Sequence, residues 1–177
     1  DAGFYRRELS ALVRERLLER IDVYGMNEDE LQEYLARPVD LLSPANVCAA
    51  LADAHALIPA RALVVHTRYW AIAVGPAAAA HRAGLESAVR TAATRFRLGD
   101  ACTAADLDDT ARLGRHPGGE TVIAAAEREL GATGVAAFVV RSMVLRRAAG
   151  SSSAAAVAPE VQTPADDEIS MEALTAL

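Results

Sequence analysis

Two stretches of this chain carry residue types able to do chemistry: Asn27-Glu28-Asp29-Glu30 and His66-Thr67. The first crowds three carboxylates behind an amide. The second sets an imidazole beside a hydroxyl. A helix start attracts phosphate through its unpaired N–H groups, but three carboxylates repel one. A divalent cation resolves that conflict, because Mg²⁺ takes one or two carboxylates, keeps its waters and bridges to phosphate. The same residues carry a plainer reading. Asn is a preferred N-cap, and Glu three residues later completes a capping box. His66, closing an apolar strand, also fits a hydrogen-bonded structural histidine, and Thr67 can simply bond backbone. Next to it, Arg68, Tyr69 and Trp70 have planar groups that can stack on a base or ring. Trp70 could equally be the one large core filler in an alanine-rich protein.

The remaining candidates are weaker. Leu98-Gly99-Asp100 has the look of a phosphate loop with a base, but it closes a long helix, and a C-cap explains it. His116 falls in the turn Gly114-Arg115-His116-Pro117-Gly118, where solvent exposure is expected. His55 and His81 have no Cys, His or carboxylate at metal spacing, so no zinc site is expected. No G-x-S-x-G, P-loop or G-x-G-x-x-G occurs. All 18 basic residues are arginine, which excludes Schiff-base chemistry and a Walker lysine. Arginine and alanine enrichment is also what a GC-rich coding genome produces.

These residues need elements to position them. Arg6 to Arg20 reads as a helix on the spacing of Leu9, Leu12, Val13 and Leu17. A β-like run over Leu18 to Val23, or Ile21 to Tyr24, precedes the Asn27 cluster. Asn27 opens a helix ending before Pro38, and Ser43-Pro44 opens another that runs through Leu57. Ala62 to His66 and Ala71 to Val74 are strands, the second closed by Gly75-Pro76. Ala78 to Leu98 is a long helix capped by Gly99. Thr103 to Leu113 and Gly119 to Leu130 are helices, and Val135 to Val140 with Met143 to Leu145 reads as a strand pair or one bent strand. Strands alternating with helices imply an α/β protein with a parallel or mixed sheet. Open sheets of this kind bind ligands beyond the carboxyl ends of their strands, where both clusters sit.

The 177 residues suit one ordinary domain. Residues 1–147 form the expected domain. Residues 148–177 are Ser/Ala low complexity followed by prolines and Asp166-Asp167-Glu168, expected to be a disordered tail with a last short helix at Ile169 to Leu177. The hydrophobic fraction is 52%, but much of it is alanine, so the core must rest on Leu, Val and Ile. A net charge of -6 argues against nucleic acid and anionic membranes. No apolar run spans a bilayer, and no signal-peptide start is present. A cytoplasmic protein with free cysteines at Cys48 and Cys102 is expected. The start, Asp1-Ala2-Gly3, reads as that of a fragment or a processed product.

Taken in order, these pieces resemble the ADP-dependent glucokinase and phosphofructokinase family, a branch of the ribokinase-like superfamily. Gly25-Met26-Asn27-Glu28-Asp29-Glu30-Leu31 is similar to the family's N-x-x-E segment. Pro38-Val39-Asp40 resembles the stretch before the next strand, and Val64-Val65-His66-Thr67-Arg68-Tyr69-Trp70 resembles the family's His-Thr strand end. The alanine-rich helix to Leu98-Gly99-Asp100 also fits. The resemblance spans broadly Glu8 to Leu145. It implies a partial ribokinase-like layered sheet with helices on its faces. It also implies transfer of phosphate from ADP to a sugar or sugar-phosphate hydroxyl with Mg²⁺. By the motif match, Glu30 would serve the Mg²⁺, with Asn27 organising it and its waters near the phosphates. His66 and Thr67 would lie at the pocket for ADP or AMP.

The chain departs from that pattern. The family's G-x-G-D motif, whose Asp is the general base, would fall just after Leu145-Arg146-Arg147. The sequence there reads Ala148-Ala149-Gly150-Ser151-Ser152-Ser153. The family's N-terminal region with its sugar contacts and lid domain has no counterpart. The chain alone is therefore expected to be inactive on sugar. Three readings stand: part of an ADP-dependent sugar kinase, with room for a second chain to complete the domain; a non-catalytic nucleotide-binding or partner-binding relative; or a plain α/β fragment whose motifs are caps.

Overall fold

The computed structural model describes residue 16 and residues 20–140. They all belong to a unit spanning Asp1–Met143. The expected helix at Arg6 to Arg20, the strand at Met143 to Leu145 and the tail from Ala148 lie outside the described residues, Arg16 and Arg20 apart.

The fold is α/β, built on a four-stranded open sheet in the order β1-β2-β3-β4. β1 is Val23–Asn27, β2 Ala62–His66, β3 Trp70–Val74 and β4 Thr133–Ala136. β1 and β2 are parallel, while β2–β3 and β3–β4 are antiparallel, so the sheet is mixed. The parallel pair is joined by a crossover of two helices, α1 (Glu28–Leu35) and α2 (Pro44–Leu57), because parallel neighbours need a long connection. After β3 come a 3₁₀ turn at Ala78–His81, then α3 (Arg82–Leu98), α4 (Ala104–Ala111) and α5 (Pro117–Leu130).

The strands alternate with period two, as the pleat requires. Tyr24, Met26, Leu63, Val65, Trp70, Ile72 and Val74 point to one face and join the main core, which includes Leu31, Val47, Leu51 and Val122 from α1, α2 and α5 and Ile58 just after α2. Val64, Ala71, Ala73 and Val135 point to the other face and meet Leu85 and Val89 of α3. That second face is built of small residues. α3 packs chiefly on β3 and β4, which leaves room above the end of β2.

Four expectations need correction. The first strand is Val23–Asn27 rather than a run ending at Val23 or Tyr24. Val23 is exposed, Tyr24 and Met26 are the inward residues of this strand, and Gly25 pairs with Val64 within it. The helix expected from Ala78 begins as a 3₁₀ turn. No side chain caps it there, and α-helical bonding starts only at Arg82. The last strand stops at Ala136, after which Phe138 forms an isolated bridge to Arg115. His116 is not a solvent-exposed turn residue. It is the half-buried N-cap of α5, its Nδ1 accepting from Gly119 N–H at 3.2 Å. Gly99 caps α3 through its N–H to Arg95 O at 2.8 Å, and Asp100 pairs with Arg95, so that segment is a helix end.

Candidate functional site

Asn27 and His66 are the last residues of parallel neighbours and are Cα partners in the β1–β2 register. The two clusters singled out in the sequence therefore stand side by side at the carboxyl ends of adjacent strands. Each is built by local chemistry.

Asn27 ends β1 and caps α1. Its Oδ1 accepts from Asp29 N–H at 2.8 Å and Glu30 N–H at 2.9 Å. Glu30 answers with Oε2, which accepts from Asn27 N–H at 2.7 Å. The capping box is thus formed in both directions. Burial of Glu30 to 3% exposure fixes its carboxylate in place. A carboxylate at a helix start is favoured by the helix dipole as well.

Thr67 knots the β2–β3 turn. Its Oγ1 accepts from Tyr69 N–H at 3.0 Å and Trp70 N–H at 3.1 Å, and donates to Trp70 O at 3.1 Å. Trp70 is fully buried and donates from Nε1 to Leu41 O at 2.7 Å, so of its two sequence readings the core filler holds. Tyr69 packs against the His116 ring at 4.9 Å between centroids. Its carbonyl accepts from Ala137 N–H at 2.8 Å. The turn is thereby tied to α5 and to the segment after β4, which holds His66 and Arg68 on a rigid base.

The clusters also meet through their charged side chains. Arg68 Nε lies 3.6 Å from Glu28 Oε1, across the gap between the β2–β3 turn and α1. His66, Thr67 and Arg68 line the mouth of a cavity of about 500 Å³. Its walls are apolar: Val64 and Ala71 from the sheet, Leu85, Val89 and Phe96 from α3, and Phe138. It lies between α3, which makes its sheet contacts with β3 and β4, and the end of β2. A mostly apolar cleft with a few polar groups at one end is the usual form of a small-molecule site. The sequence reading missed this cavity. Leu85, Val89 and Phe96 recur at helical spacing, a signal that was readable; Phe138 gave none.

Among the described residues no group of three His, Cys, Asp or Glu side chains comes together to hold a metal ion. The carboxylates nearest the site are those of the first turn of α1: Glu28 and Asp29 are accessible, while Glu30 is buried and spends one oxygen on the cap. Cys48 and Cys102 are both free, Cys48 buried. Among the described residues no helix is long and apolar enough to cross a membrane.

A mixed sheet with its polar clusters at the strand ends, a helical crossover on one face and α3 on the other defines a partial kinase-like α/β fold. That fold is shared with solved ADP-dependent phosphofructokinases. A hypothetical ADP-dependent phosphofructokinase from Pyrococcus horikoshii OT3 matches with a TM-score of 0.61 and 19% identity, over 82% of this chain and 37% of that one. A phosphofructokinase from the same organism, solved with AMP, matches with a TM-score of 0.62 and 20% identity, over 78% and 36%. An ADP-dependent kinase in complex with fructose-6-phosphate and ADPbetaS gives 0.58 and 15%, over 78% and 39%. The chain spans less than two fifths of the length of these enzymes. No family model and no curated protein sequence matches it.

Proposed function

We propose that this chain is part of an ADP-dependent sugar kinase and contributes the nucleotide side of its active site. One observation carries the reading: Asn27 and His66 are register partners at parallel strand ends, directly beside an apolar cavity whose mouth is His66, Thr67 and Arg68. The cavity suits the planar base of ADP or AMP, and the α1 start with Glu30 suits its phosphates together with a shared Mg²⁺. When bound, that ion would neutralise phosphate charge. Glu30 is the residue that would hold it, through the oxygen not used in the cap. Asn27 fixes the start of α1, and Thr67 fixes the turn that presents His66. Phosphoryl transfer depends mainly on such positioning and charge neutralisation. The similar enzymes, solved with AMP or with fructose-6-phosphate and ADPbetaS, support a nucleotide and a sugar phosphate as substrates of the complete protein.

A second reading, a non-catalytic nucleotide-binding relative, is favoured by one sequence fact: Ala148-Ala149-Gly150-Ser151-Ser152-Ser153 stands where the family's G-x-G-D base would fall. Both readings require nucleotide binding. Calorimetric titration of the full 177-residue chain with ADP, with and without Mg²⁺, tests them together. Saturable, Mg²⁺-dependent heat is expected. No heat on a sample whose circular dichroism shows it folded would overturn both.

A further inference from the structure

We propose that Arg68 reads the anionic end of the ligand, leaving Glu28 to pair with a phosphate when a nucleotide base fills the cavity; this rests on the nucleotide reading above. Among the described residues lining the cavity, Arg68 is the one formally charged side chain, and no carboxylate lines it. Its backbone is held, because the Thr67 knot and the Tyr69 contacts fix the turn on both sides of it. Its side chain remains largely exposed at 73%, so the guanidinium can swing while its base stays put.

The partner it now has is a weak one. Arg68 Nε approaches Glu28 Oε1 only to 3.6 Å, beyond hydrogen-bond range. An ion pair with one exposed member contributes little. Phosphate offers a guanidinium shorter, bidentate contacts that a single long approach to carboxylate does not. The guanidinium also lies over the Tyr69 ring at 5.9 Å, which keeps it at the mouth rather than out in solvent. The site otherwise repels anions, since Glu28, Asp29 and Glu30 crowd the first turn of α1. An anionic ligand seated in this cavity needs one cation to offset them, and Arg68 is in position to be it. Glu28 then acts as the competitor: it holds Arg68 in the empty site and yields it to phosphate.

The test compares ADP, AMP and adenosine by calorimetry on the full chain, with Mg²⁺ present throughout, for the parent protein, Arg68→Gln, Arg68→Lys and Glu28→Gln. Arg68→Gln is expected to weaken ADP binding about tenfold while leaving adenosine unchanged, as loss of a charge-assisted contact requires. Arg68→Lys keeps the charge without the fork and falls between. Glu28→Gln removes the competitor and tightens ADP a fewfold, again without effect on adenosine. Equal weakening of ADP and adenosine by Arg68→Gln would overturn the proposal, because Arg68 would then only shape the pocket. Unchanged ADP binding would overturn it too, while leaving the nucleotide reading intact. Failure of the parent chain to bind ADP would remove that reading and the proposal with it.

Discussion

Asn27 and His66 face each other on the last rung of the β1–β2 ladder. Because the two strands are parallel, the chain leaves the sheet on the same edge after each of them. Beyond Asn27 lies the start of α1, and beyond His66 lies the Thr67 turn. The Glu28–Arg68 approach spans the gap between them. Two segments far apart in the sequence thus form one surface, and each has a local cap or knot of its own. That locality lets structural and ligand roles be separated by mutation.

Asn27→Ala removes the acceptor for two helix N–H groups at once. A loss of about 1 kcal/mol in unfolding free energy is expected, read as a shift of the urea midpoint. Glu30→Gln is the contrasting change. Glutamine can still accept from Asn27 N–H, so the loss should stay below about 1 kcal/mol, the share owed to charge at a helix start. If Glu30 serves a shared cation, Glu30→Gln abolishes the Mg²⁺ dependence of ADP binding. A large stability loss with unchanged Mg²⁺ dependence would instead reduce Glu30 to its capping role.

Thr67→Val deletes the acceptor of both Tyr69 N–H and Trp70 N–H while keeping the side chain's shape. Leaving such groups unpaired in a packed turn costs about 1–3 kcal/mol. Thr67→Ser should recover most of that loss. Trp70 is the one tryptophan of the chain and is fully buried, so its fluorescence reports the transition directly. Equal stability for valine and serine would show that the hydroxyl does not hold the turn.

Much of the fold was legible in the sequence, and for identifiable reasons. Ser43-Pro44 marked α2 to the residue, because N-cap chemistry and the proline at the first turn act locally. Ala62 to His66 was legible as a strand from its apolar run. Local chemistry also announced the Asn27–Glu30 box. The extent of β1 was not legible: the apolar run ends before Gly25, and only pairing with β2 carries the strand on to Asn27. Nor was the role of His116, whose burial depends on Tyr69 from a distant hairpin. Of the cavity only the helical spacing of Leu85, Val89 and Phe96 was readable; the space itself depends on which strands α3 packs against, a tertiary property that no window of sequence encodes.

Gly119 sits where α5 begins against the β2–β3 turn. A Cβ there would lie 2.3 Å from Tyr69 O, a backbone atom that cannot swing aside. Gly119→Ala should therefore destabilise by about 1–3 kcal/mol or more. It should also displace the turn that carries His66 and Arg68. The check pairs thermal unfolding with ADP titration: both should worsen together. Gly84→Ala has open space around its Cβ and lies exposed in the first turn of α3, so it should be neutral or stabilise by up to about 1 kcal/mol. That makes it a control for the substitution itself.

The two cysteines should differ in reactivity. Burial pushes the Cys48 thiol up from its ordinary value, and a hydrogen bond with Glu129 adds to the rise. Cys102 is partly exposed. The thiolate is the reactive form, so a thiol reagent at neutral pH should label one site quickly and the second only on unfolding. Mass spectrometry of peptides should assign the fast site to Cys102. Rapid labelling of Cys48 in the folded chain would mean that the α2–α5 packing around it opens readily.

The α4 cap carries a pH dependence whose sign is fixed by geometry. Asp106 Oδ2 accepts from Thr103 Oγ1 at 2.7 Å and from Thr103 N–H at 2.8 Å. These two bonds, the hydroxyl's first, favour the charged carboxylate and lower its pKa below the ordinary value. A group depressed in the folded state stabilises it above the unfolded pKa, and that contribution is lost as pH falls through the folded pKa. Asp106→Ala should therefore lower the urea midpoint at neutral pH. The gap to the parent chain should narrow steadily once the pH drops through and below the usual carboxylate range. Thr103→Val, which removes the stronger donor, should narrow the same gap from the other side by bringing Asp106 back toward its ordinary titration. A gap that stays constant from neutral to acid pH would show that Asp106 contributes to α4 by packing or propensity, not by its charge.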